Sequence, residues 1–186
     1  MKNKVVWIIL GVILIAAVWA VSGYNKLVSR SEAVPEAWAQ VENVLQRRYD
    51  LIPNLVSTVK GYAKHESGLL TEVTRLRSQW GAAKGAQEKI AAAGGLESAL
   101  GRLLLVVERY PDLKANQNFL RLQDELAGTE NRIAVERRRY NQVIRAYNVT
   151  VKRFPTNMLA GMFGFEKSEN YFEAEKTAAK VPKVEF

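Results

Sequence analysis

His65 is the only histidine in the chain and there is no cysteine, so the side chains that most often carry acid-base, nucleophilic or metal chemistry are nearly absent. A histidine acting as general base needs an orienting partner, and one that binds zinc needs companion ligands. No imidazole pair exists here, and any triad would have to be built around His65, which reads instead as a helix-surface residue beside Glu66. Without cysteine, disulfides, thiolate metal sites and a lipoprotein anchor are excluded. The carboxylates are scattered among Lys and Arg at helical spacing, which is the pattern of solvated faces with modest ion pairs. No glycine-rich phosphate loop, nucleophile elbow or zinc spacing occurs. The expectation is a non-catalytic chain without cofactor or metal.

Two polar groupings remain. Arg137-Arg138-Arg139, with Arg132 and Arg145, has the composition of a phosphate patch, but consecutive helical residues point about 100° apart and share no face. Glu130 and Glu136 lie among them, so solvated charge is expected there and nucleic acid is not. The net charge of +8 does not restore that reading, because Lys2, Lys4, Lys26 and Arg30, unopposed by any acid, place half of the excess around the N-terminal apolar run. Arg48 and Glu136 are different, since each interrupts an apolar helical stripe. A buried charge is costly unless paired, so both are expected to be largely buried and paired, with each other or with nearby polar groups.

The elements that position these residues are helical. Steps of three and four from Trp38 to Trp80 land on Val41, Leu45, Ile52, Leu55, Val59, Tyr62, Leu69, Val73 and Leu76, with only Arg48 and Glu66 breaking the stripe. This is the spacing of a bundle or coiled-coil seam. One helix is predicted across it, kinked at Pro53, whose missing N–H frees the carbonyl of Tyr49, with Gly61 as a second soft point. Pro35 either opens that helix as its first residue, the preferred reading, or kinks a helix continuous with the N-terminal run. Gly81 to Gly95 reads as an alanine-glycine connection, Leu96 to Tyr110 as a short helix stopped by Pro111, and Ala115–Asn118 to Phe154 as a last long helix. At 1.5 Å per residue the two long helices come to about 65 and 60 Å, which suits antiparallel packing.

The predicted architecture is all-α: an N-terminal transmembrane helix followed by an antiparallel long-helix bundle of three to four helices. Residues 1–30 are the anchor and its flanks, 31–155 the bundle, and 156–186 an irregular apolar tail ending in Val181-Pro182-Lys183-Val184-Glu185-Phe186. Met158, Leu159, Met162, Phe163 and Phe165 crowd that tail. They are expected to form an assembly contact, between subunits or with the membrane, against the plainer alternative that they fold over the end of the bundle.

Val5 to Val21 is a continuous apolar run. At about 26 Å it approaches the ~30 Å hydrocarbon core of a bilayer. A cleaved signal peptide is the competing reading, but the run is longer than the usual apolar region and Trp19 lies beside the would-be site. The expectation is an uncleaved, single-pass anchor. Lys2 and Lys4 nearly balance Lys26 and Arg30, and the short leading tail favours a domain outside the cytoplasmic face.

Several runs carry a family resemblance. In the first half they are Tyr24-Asn25-Lys26-Leu27-Val28, Ala37-Trp38, Arg47-Arg48-Tyr49-Asp50-Leu51-Ile52-Pro53-Asn54-Leu55-Val56, Val59-Lys60-Gly61-Tyr62 and His65-Glu66. Tyr110-Pro111-Asp112-Leu113-Lys114-Ala115, Asn118-Phe119, Glu130-Asn131-Arg132-Ile133, Tyr140-Asn141, Tyr147-Asn148, Phe154-Pro155 and Phe163-Gly164-Phe165 continue the series. In order, and over almost the whole chain, they resemble the LemA family of bacterial membrane proteins. Pro35 departs from the family pattern. The resemblance implies a transmembrane anchor with an antiparallel helical bundle, supplies no catalytic residues, and leans towards membrane organisation, since some relatives are associated with magnetosome membrane formation. The expected function is a membrane-anchored scaffold that self-associates or organises partners at the bacterial cytoplasmic membrane. The alternative is an adaptor or sensor subunit of another membrane protein, such as a protease. The expected partners are the lipid bilayer, further copies of the chain or a membrane protein, and not nucleic acid.

Overall fold

The computed structural model describes residues 2–172. Among them the regular elements are all helical: α1 (Lys2–Tyr62), a 3-10 turn (Lys64–Glu66), α2 (Ser67–Ala82), α3 (Gly85–Val107), α4 (Pro111–Lys114), α5 (Gln117–Lys152) and α6 (Thr156–Phe163). Residues 173–186, including the final Val181–Phe186 segment of the predicted tail, lie outside the described residues.

Helix α1 runs without interruption from the apolar N-terminal segment into the bundle, so the new start expected at Pro35 is not found. Pro35 and Pro53 both point to the exposed side of the helix, where the unbonded carbonyls they leave remain within reach of polar groups. The Tyr49 carbonyl freed by Pro53 accepts a hydrogen bond from Arg77 Nε at 3.1 Å.

The single helix expected from Trp38 to Trp80 is in fact a hairpin. Ala63 leaves helical geometry (φ −112, ψ 62), and α2 folds back along α1 until the Trp80 ring meets Tyr49 with centroids 4.1 Å apart. Away from the turn the stripe holds, with Leu45, Ile52 and Val59 buried from one arm and Val73 and Trp80 from the other, while at the turn Tyr62 is exposed and Leu70 is buried in place of the expected Leu69. Periodicity reports which face is buried and is blind to a reversal that keeps the register.

The connection expected over Gly81–Gly95 shrinks to Ala83 and Lys84, with α3 already helical from Gly85, which takes φ +78. Alanine is the best helix former, and the small residues are a packing surface: Ala93 is buried, and a Cβ on Gly95 would lie 3.4 Å from Leu76. Arg102 pairs with Glu72 at 2.7 Å, and Arg109 and Tyr110 both bond Glu66 at the far end. Pro111 opens the short α4. The Asn116 side-chain oxygen then caps α5 by accepting from the N–H groups of Asn118 and Phe119, while its amide donates to the Tyr62 hydroxyl at 2.9 Å.

Helix α5 returns antiparallel to α1 in a constant register, with Trp38 against Tyr140 and, ten residues along each helix, Arg48 against Glu130. The core of this four-helix bundle includes Val41, Leu55, Leu96, Leu103, Phe119, Ile133 and Ile144. The tail is less irregular than expected. Leu159 and Ala160 of α6 dock on Leu27 of α1, Gly164 ends that helix at φ +75, and the chain then runs back along α5 as a strap to Phe172. Tertiary packing, rather than propensity, stabilises an eight-residue helix containing Gly161. Packing against α1 therefore reaches down to Leu27.

Candidate functional site

Three features of the bundle hold the residues singled out by type. The first is a layer of charge in its middle. Arg48 does not meet Glu136; it pairs with Glu130 of α5, and its side chain is only 11% exposed against 40% for Glu130. Arg137 of the same helix reaches Glu97 of α3 at 2.9 Å. Glu136 is partly buried with one carboxylate oxygen lacking a hydrogen-bond partner among the described residues. Beside these pairs lie Tyr49 and Trp80, both 3% exposed, whose hydroxyl and indole N–H also find no partner. This arrangement ties α1, α3 and α5 in one register and offers no nucleophile held by a base. His65 is exposed on the turn after α1, Arg132, Arg138, Arg139 and Arg145 face outward, and no group of three His, Cys, Asp or Glu could hold a metal among the described residues.

Burial holds the Tyr49 phenol well above its usual ionisation range, more than the neighbouring Arg48 and Arg137 lower it, and burial raises Tyr140 as well. Unfolded tyrosine ionises near pH 10. Above that pH the unfolded chain loses a proton the folded chain keeps, so stability is full below about pH 10 and falls as pH climbs towards the folded value. Tyr49→Phe removes both this linkage and an unpartnered buried hydroxyl. The variant is expected to melt no lower than the parent at pH 7 and to lose less stability from pH 10 to 11, as followed by circular dichroism.

The second feature is the strap clasp. Asn148 accepts from the Ser168 N–H at 2.9 Å and donates to the carbonyl of the same residue at 2.8 Å. Seven residues earlier, Asn141 does the same to Phe172, at 3.0 and 2.8 Å. A carboxamide carries the donor and acceptor of a peptide group, so each asparagine gives the strap the two-point pairing that a helix backbone, already saturated, cannot. The Tyr147 hydroxyl donates to the Glu166 carbonyl at 2.7 Å, and a bend closed by Tyr171 N–H to Glu169 C=O fits the strap to the spacing of the two clasps. Phe172 packs against both Trp38 and Tyr140, with the Arg137 guanidinium 5.0 Å above its ring. Asn148→Asp replaces a donor with an oxygen facing the Ser168 carbonyl, a loss of about 1–3 kcal/mol. The expected result is faster hydrogen exchange at Ser168 and in the strap, with little change in global melting.

The third feature is the lower end of the bundle. Of the five residues expected as an assembly contact, Leu159 is buried and Phe165 partly so, while Met158, Met162 and Phe163 are exposed. Phe163 packs on Tyr24 with ring centroids 4.7 Å apart, and Phe165 meets the same ring at 6.1 Å. Ala20, Val21, Tyr24 and Phe163 line an open apolar cavity of about 230 Å³. Sequence reasoning passed over Glu97 and gave Glu130, Asn141 and Asn148 no pairing or clasp role. The seven-residue recurrence of Tyr-Asn at 140–141 and 147–148 was the available signal for the clasp.

The chain is 32% identical over 185 residues to magnetosome protein MamQ 2 of Paramagnetospirillum magneticum, covering 86% of this chain and 67% of the relative. MamQ of Magnetospirillum gryphiswaldense is 29% identical over the same shares. Protein LemA of Metamycoplasma hominis is 24% identical over 162 residues, covering 87% of this chain and 72% of its own. The family model for LemA matches residues 37–186, and the chain belongs to the LemA family.

Proposed function

We propose that this protein is a membrane-anchored, non-catalytic helical scaffold that self-associates or organises partners at the bacterial cytoplasmic membrane, contributing to membrane remodelling. The observation that carries the reading is the continuity of α1: the segment apolar and long enough to cross a membrane and the first bundle helix are one element. Bundles anchored in this way share a membrane plane at a fixed height, a geometry that favours lateral association, because confinement raises the effective concentration of neighbours. The MamQ relatives, named as magnetosome proteins, support a role at an organised membrane.

Sizing of the full chain in mild detergent, followed by imaging of the particles, tests this function. A homo-oligomer is the expected result. A monomer that retains one specific membrane protein would replace the scaffold with an adaptor or sensor subunit. The bundle is expected outside the cytoplasm, and a reporter fused after Phe186 should be inactive if it requires the cytoplasm.

A further inference from the structure

Helix α1 serves as a ruler for the height of everything packed on it. A hydrocarbon core of ~30 Å takes about 20 helical residues, so a span entered at Val5 is left near Tyr24. Helix α6 straddles that level, with its Phe163 end on the membrane side of it. Leu159 rests on Leu27 and Gly23, and Phe163 reaches Ala20, Val21 and Tyr24, the last turns of the span.

What α6 turns away from the protein is apolar. Phe154 is 75% exposed, Met158 62%, Met162 76% and Phe163 53%. Such a patch is unusual on a surface facing water. Close to it in the chain, Lys26 and Arg30 flank the Leu27 contact on α1, Lys152 and Arg153 immediately precede Phe154, and all four are exposed. Basic side chains at this height meet lipid phosphates while their stems follow the apolar layer.

The backbone is adapted to the descent. A Cβ on Gly23 would come within 2.6 Å of the Leu159 Cδ1 methyl, so a glycine there leaves room for the Leu159 side chain against α1. After Phe163, Gly164 turns the chain through φ +75, and by Glu166 it is back on the bundle, bonded to Tyr147.

We propose that α6 is an interfacial helix seated in one leaflet of the bilayer, with Met162 and Phe163 among acyl chains and the Lys26, Arg30, Lys152 and Arg153 ring at the phosphates. The occupant of the exposed face is lipid, not a second copy of the chain. The proposal rests on the reading that α1 crosses a membrane. It adds a wedge that displaces lipid in one leaflet only, beside a single span, and so couples the bundle to the packing of that leaflet.

The absence of cysteine makes the test direct. Spin labels on single cysteines at Val12, Met162, Phe163 and Arg139 of the full chain, in vesicles of phosphatidylcholine and phosphatidylglycerol, are compared for collision with oxygen and with a soluble nickel chelate. Labels at Met162 and Phe163 are expected to favour oxygen, as Val12 does, with Arg139 favouring nickel. Gly23→Val should shift Met162 and Phe163 towards nickel while leaving Val12 unchanged. Nickel access at Met162 and Phe163 in the parent chain would overturn the wedge, and low collision with both reagents would overturn it in favour of a subunit contact. If Val12 itself favours nickel, the transmembrane reading fails and the wedge fails with it. If Val12 favours oxygen and α6 does not, the wedge alone fails.

Discussion

Tyr140→Ala lowers stability by about 3–5 kcal/mol, in the range of buried aromatic-to-alanine changes, and releases the strap. Tyr140 is 1% exposed and sits between Trp38, at 5.5 Å between ring centroids, and Phe172, at 5.8 Å. Its loss opens a cavity at the α1–α5 seam and removes the floor on which Phe172 rests, so one substitution acts on both the core and the clasp. Chemical denaturation in detergent measures the first effect. Limited proteolysis at Lys167 measures the second, and cleavage is expected to accelerate well before global unfolding. Tyr140→Phe keeps the ring and should stay within about 1 kcal/mol of the parent. A variant Tyr140→Ala that melts like the parent would mean that Trp38 and Phe172 close the gap, and the seam would then be far more plastic than the geometry implies.

Glu130→Ala should cost about 3–5 kcal/mol, the usual range when one member of a buried pair is removed. The two partners are not equivalent. The Arg48 side chain is 11% exposed and that of Glu130 is 40% exposed. Removing the carboxylate leaves a largely buried guanidinium without its partner, whereas Arg48→Met leaves a carboxylate that is already partly hydrated. The second change is therefore expected to cost only about 1–2 kcal/mol, after discounting for solvent screening. Arg138, fully outward on α5, should change stability by less than about 0.5 kcal/mol when replaced by Ala. Denaturation of the three variants side by side checks the order. Equal costs at Glu130 and Arg48 would mean that the bundle opens enough to hydrate either charge.

These two sites illustrate how far the residues could be read in one dimension. That Arg48 stood on a buried stripe was legible, because a helix places every third or fourth residue on one face whatever else the chain does. Which acid would meet it was not legible. Glu136 lies on the α5 seam and Glu130 two turns before it, and the choice between them is made by the sliding register of α5 against α1, fixed by contacts such as Trp38–Tyr140 and Asn116–Tyr62. The clasp was hidden for a related reason. The seven-residue repeat of Asn141 and Asn148 places both on one face but does not say what they bind, and their role exists only once Gly164 has sent the strap back along α5.

The sequence by itself determined the helical class, the apolar N-terminal span, the buried faces and the poverty of catalytic side chains, since each depends on residue type and near-neighbour spacing alone. Only the tertiary structure decided that the Trp38–Trp80 stripe folds into a hairpin at Ala63, that α1 passes straight through Pro35, that Gly85–Gly95 is helix, and that α6 packs against Leu27 of α1. The physical reason is common to all four. A proline on an exposed face, a glycine within a helix or a break that preserves register costs only a few kcal/mol locally, and packing between distant helices is large enough to set the outcome either way.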